Sequence, residues 1–77
     1  MQKTYYLKQE KKEELKDGRP VTFFARLFSL NSANLTSIFN GKKCSKLLAM
    51  GIINVTYGTP IYSDEMEEKI KYFFNIV

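Results

Sequence analysis

Apolar side chains recur along this chain at helical spacings. Phe24, Ala25 and Phe28 stand at i, i+1 and i+4, and Leu35 and Ile38 at i and i+3. Each set makes one apolar face of a short helix. Two helices are therefore predicted, over about residues 22–28 and 32–39, joined by a tight turn. Leu30 falls in the turn, where an apolar side chain is expected to plug the space between the helices. Ala25 falls where they would cross most closely, and a large side chain there would hold them apart. Ser29, Asn31 and Ser32 supply turn and cap chemistry.

Ahead of this pair, Tyr5, Tyr6 and Leu7 run into a Lys- and Glu-rich stretch ending at Lys16. A helix over about residues 5–16 is predicted, with a thin apolar stripe of Tyr5 or Tyr6, Leu7 and Leu15 and a solvated, mixed-charge face. Asp17-Gly18-Arg19-Pro20 stops it: Gly18 suits the residue after a helix and Pro20 blocks continuation. Thr22 is the expected cap of the next helix, with Val21 as its hydrophobic staple.

Beyond Gly41, Leu48, Ile52 and Val55 repeat at i, i+4 and i+7, with Ala49 on the same face. A helix over about residues 45–56 is preferred there, although residues 52–57 are also strand-prone. Ser45 is placed to cap it, Gly58 to end it, and Pro60 follows. Gly51 inside it costs about 1 kcal/mol against Ala. The last helix is predicted over about residues 63–75. Ser63 caps it, four acids crowd its first turns, and Lys69 and Lys71 follow as the helix dipole prefers. Its buried stripe is Met66, Ile70, Phe73 and Val77, with Phe74. Tyr72 and Ile76 lie off that stripe; with Val77 they either form a dimer contact or finish the core.

The central pattern resembles the helix-turn-helix of the lambda-repressor and Cro family. That motif has a small residue early in its first helix and apolar residues one before it and three, five, ten and thirteen after it. Ala25 takes the small place, and Phe24, Phe28, Leu30, Leu35 and Ile38 take the apolar ones. Asn40-Gly41-Lys42-Lys43 is similar to the family's frequent Asn-Gly-Lys-Arg ending. Ser45, Ala49, Ile52 and Thr56 match the stretch that follows, with Tyr57 inserted before Gly58. One departure is Ser29, where the family usually has Gly.

The resemblance implies an all-α, five-helix domain over residues 1–77, with the motif at residues 21–41. It also implies a second motif helix that enters the DNA major groove. Its outward residues Ser32, Ala33, Thr36, Ser37 and Asn40 are the candidate base readers, through hydroxyl and amide hydrogen bonds and methyl contact with thymine. Thr22 sits where family members bond a phosphate. Arg26, Asn31, Lys42, Lys43 and Lys46 are further phosphate candidates. No Arg or Gln stands on the reading face, so DNA shape is expected to contribute.

Charge sharpens this reading. The net charge is +4, and all eight acids lie at or before Asp17 or at or after Asp64. Between them Arg19, Arg26, Lys42, Lys43 and Lys46 stand without one acid. That is the electrostatic footprint of a nucleic-acid face. With 77 residues and 44% hydrophobic content, one small folded domain is expected, of a size that often gains from pairing.

Enzyme chemistry has little support. The chain has no histidine, and its one cysteine, Cys44, reads as a small buried or half-buried thiol. No metal-ligand spacing or phosphate-cradling loop occurs, so no catalytic residue, metal or cofactor is expected. Phe24, Phe28 and Phe39 read as core, whereas Phe23 packs on its own helix or on a partner. The charged N-terminus shows no signal peptide, and the longest apolar run is too short to span a membrane; a cytoplasmic protein is expected. The leading expectation is a dimeric, sequence-specific regulator of double-stranded DNA, such as a phage or mobile-element repressor. The alternative is a protein-interaction module on the same fold: an antirepressor, antitoxin or host-takeover factor. That alternative anticipates an exposed apolar patch around Phe23 or Tyr72.

Overall fold

Tyr5 and Leu7 are buried and Tyr6 between them only partly so, which is the alternation of a strand. The computed structural model describes residues 3–77, and in it strand β1, Tyr5–Leu7, replaces the first turn of the expected N-terminal helix. A 3-10 turn, Gln9–Lys11, and a short helix α1, Lys12–Lys16, make up the rest. The partner of β1 is β2, Phe74–Ile76, in place of the last turn expected of the final helix. The two are antiparallel, with Tyr5 opposite Ile76 and Leu7 opposite Phe74. Paired bonds of 2.8 Å between Thr4 and Val77 extend the ladder, and the Lys8 N–H donates to the Phe73 carbonyl at 2.8 Å. The described residues are thus mostly helical with a small sheet, not all-α. Leu7 and Phe74 gain full burial by pairing, which a solvated helix of mixed charge could not offer them.

Between the strands lie α2, Val21–Phe28, α3, Ser32–Phe39, α4, Lys46–Tyr57, and α5, Asp64–Phe73. Local chemistry sets most of their ends. Asn31 Oδ1 accepts from the Ala33 N–H at 2.8 Å, Ser45 Oγ from Leu48 at 3.2 Å and Ser63 Oγ from Met66 at 3.1 Å. Gly58 ends α4 in the left-handed region, φ +70°. After α1, Asp17 takes that conformation first, φ +52°, and Gly18 follows it. Thr22 is not a cap. Helix α2 starts one residue earlier, after an extended Pro20 whose fixed φ suits a helix entry. Thr22 is then its second residue, and Val21 packs against the core from within the helix.

The buried side chains form one cluster, with Leu15, Phe24, Leu35, Phe39, Ile52, Ile53, Met66, Ile70, Phe73 and Phe74 almost wholly enclosed. Helix α4 buries Ala49, Met50, Ile52 and Ile53; Leu48 and Val55 of the expected stripe are only partly covered. The buried face is rotated because α4 packs on α1 and α5 as well as meeting Phe28 of α2 at Gly51. Val77 lies outside the core at 78% exposure, because the chain leaves α5 at Phe73 and turns into β2. Leu30 is no plug: it stands 42% exposed. Among the described residues no helix is long and apolar enough to cross a membrane.

Cys44 is buried, and its N–H donates to the Tyr5 carbonyl at 2.7 Å, tying the α3–α4 connection to β1. Burial pushes its thiol up to about 11. At neutral pH the folded chain should therefore resist alkylation by iodoacetamide, while guanidinium chloride exposes the thiol. Equal labelling rates in the two states would place Cys44 outside the core.

Candidate nucleic-acid interface

The α2–α3 turn is built by backbone bonds. The Leu30 N–H donates to the Ala25 carbonyl at 2.9 Å and the Ser29 N–H to Arg26 at 3.3 Å, closing the last turn of α2. Ser29 carries the left-handed conformation this requires, φ +55°. A non-glycine residue is strained there by about 1 kcal/mol or more. Ser29→Gly should therefore stabilise the fold by about 1 kcal/mol and raise the melting temperature by about 4–8 °C. A lower melting temperature would mean that the Ser29 side chain stabilises the turn.

Ala25 is 4% exposed, while Phe24 and Leu35 are fully enclosed, so the seam between α2 and α3 is tightly packed. Phe24 meets Phe39 at a centroid separation of 5.5 Å. This packing turns Ser32, Ala33, Thr36, Ser37 and Asn40 to the exposed side of α3. Ser37 Oγ bonds back to the Ala33 carbonyl at 3.1 Å, and Asn31 is committed through its Oδ1 to capping. Asn40 Oδ1 accepts from Lys12 Nζ, which brings an α1 lysine to the end of α3. Nothing near Lys12 in the sequence marks that approach, because the partners are 28 residues apart.

All six candidate phosphate residues, Thr22, Arg26, Asn31, Lys42, Lys43 and Lys46, are exposed. At the entry of α2 the Phe23 N–H donates to the Pro20 carbonyl at 3.0 Å, which leaves the N–H groups of the first two residues, beside the exposed Thr22, without a helical acceptor. Arg19 lies over the Phe23 ring, 4.9 Å from its centroid, which holds the guanidinium near that entry. Lys42 and Lys43 are held by a rigid connection. Lys42 N–H donates to Ser37 at 3.0 Å, and Gly41 adopts φ +108°, open only to glycine. Gln9 Nε2 bonds both the Leu7 and Phe39 carbonyls at 3.1 Å, fastening β1 to the end of α3. Lys46 differs from the others. Glu67 of α5 meets its Nζ at 3.0 Å, and that hydrogen bond raises the Lys46 pKa. The acid-free stretch of sequence is thus not wholly acid-free in space.

Phe23 and Tyr72 are both exposed, 37% and 44%, as the protein-interaction alternative anticipates of them. The Tyr72 hydroxyl is engaged within the chain, donating to the Glu14 carboxylate at 3.0 Å and accepting from Lys11 Nζ at 2.8 Å. Larger apolar exposure lies at Leu27 and Leu47, 53% and 66%. No protein family, curated protein or solved structure matches this chain.

Proposed function

We propose that this chain is a small sequence-specific regulator of double-stranded DNA, with α2 and α3 as its helix-turn-helix and α3 as the reading helix. The observation that carries this is exposure without compensating charge. The small uncharged side chains Ser32, Ala33, Thr36, Ser37 and Asn40 of α3 are exposed, and so are Arg26, Lys42 and Lys43, none of which has a carboxylate within 4.0 Å among the described residues. Small exposed side chains can approach base edges closely, and uncompensated cations can neutralise phosphates. Regulation would be non-catalytic, by occupying an operator. A dimer is part of the proposal. β2 pairs only with β1 among the described residues, and Ile76 and Val77 stand exposed along and beyond that strand.

Selection from a random duplex pool supplies the operator, and a fluorescence titration then compares it with a scrambled duplex. Thr36→Ala and Ser37→Ala should keep the wild-type melting temperature, since both residues are exposed. Each should lose discrimination between the two duplexes by about 1–3 kcal/mol. If both variants bind the two duplexes as the wild type does, α3 does not read bases.

A further inference from the structure

We propose that the groove between the α2–α3 turn and α4 docks an acidic amphipathic helix of a protein partner. Its floor is Phe28, Leu30, Leu47, Leu48, Gly51 and Ile61, around a cavity of about 430 Å³. Leu30 and Leu48 also line an adjoining cavity of about 320 Å³ that runs to Lys42 and Lys43. The two make one trough with an apolar floor and a basic end. Gly51 explains its depth. A Cβ there would stand 3.1 Å from the Phe28 ring, so glycine lets that ring approach α4 closely.

Charge selects the occupant. At one end Lys42 and Lys43 have no carboxylate within 4.0 Å among the described residues. Toward the other end, past Ile61, Lys46 is already answered by Glu67, with Asp64 lining the same hollow. The uncompensated positive charge is therefore confined to the Lys42–Lys43 end. A second copy packed groove against groove about a two-fold axis at that end would bring its own two lysines there and gain nothing. Duplex DNA answers the lysines but not the leucines. A helix with a row of large apolar side chains, and acids over the lysines, answers both. Lys42 and Lys43 are common to this inference and the duplex reading, but Leu30 and Leu47 take no part in the latter, so Leu47→Ser tests the groove alone.

The probe is a fluorescein-labelled synthetic helix of about 16 residues, ~24 Å long, with Leu at i, i+3, i+4 and i+7 and Glu on the flanks. Titrated with the full chain it should bind. Leu47→Ser, and separately Lys42→Ala with Lys43→Ala, should each weaken it by about tenfold. Leu47 is largely exposed, and an unchanged melting temperature verifies the fold of that variant. The same leucine row flanked by Lys should bind at least about tenfold more weakly, as should a scrambled Glu peptide without the row. Equal binding of the lysine-flanked peptide, or of the probe to Leu47→Ser, overturns the proposal. So does sedimentation showing that Leu47→Ser turns a dimeric wild type into a monomer, since a second copy then covers the groove. Loss of duplex binding with peptide docking intact would sink only the regulator reading.

Discussion

Ala25→Leu should melt well below the wild type. Ala25 is 4% exposed in the seam between α2 and α3, with fully enclosed Phe24 before it and Leu35 across the turn. Its carbonyl also anchors the turn through the Leu30 N–H. A leucine has no space to enter, so α2 and α3 must separate or side chains must leave their rotamers. That costs about 1–3 kcal/mol, or roughly 5–20 °C in melting temperature for a chain of this size. Ala25→Gly serves as the control. It removes bulk, so its cost should stay near the helix-propensity value of about 1 kcal/mol. Thermal melts by circular dichroism distinguish the two. If Ala25→Leu melts with the wild type, α2 and α3 do not meet at Ala25.

Changing Lys42 and Lys43 together to Ala should weaken binding to every duplex alike, without disturbing the fold, since both are exposed. Each phosphate left without its lysine should flatten the log-log salt dependence by roughly one unit, so the pair should remove about two. Preference for operator over scrambled duplex should survive, because these lysines position the chain and do not read bases. Lys46→Ala is the informative comparison. Its ammonium already meets Glu67 at 3.0 Å, and a phosphate would have to displace that partner. Its removal should change the slope by less than either of the other two lysines. An unchanged slope in the double variant would take Lys42 and Lys43 out of the interface.

Several elements are legible in the sequence because the signals that make them act within a few residues. Ser45 and Ser63 cap helices that begin one residue later, and the apolar spacing of α3 marks residues 32–39. Gly58, Ser29 and Asp17 stand where the chain turns left-handed, and at Ser29 and Asp17 the turn falls on a residue with a side chain to strain. The sequence alone also determines the separation of charge along the chain, since no acid lies between residues 18 and 63.

Only the tertiary structure decided what those local pieces meet. Residues 5–7 and 74–76 become strands because each finds the other at opposite ends of the chain, and no local preference encodes that return. The same closure takes Val77 out of the core and ties Cys44, and with it the Lys42–Lys43 connection, to β1. Lys46 meets Glu67 and Lys12 meets Asn40 across long stretches of chain, so which cations stay free was settled in space. Leu30 illustrates the limit. Its spacing matches a buried plug, but whether it is covered depends on how close α4 comes. Gly51 draws Phe28 against α4 and leaves Leu30 at the edge of an open groove. Caps and turns follow from a few consecutive residues, whereas burial and charge pairing depend on side chains brought together from distant parts of the chain.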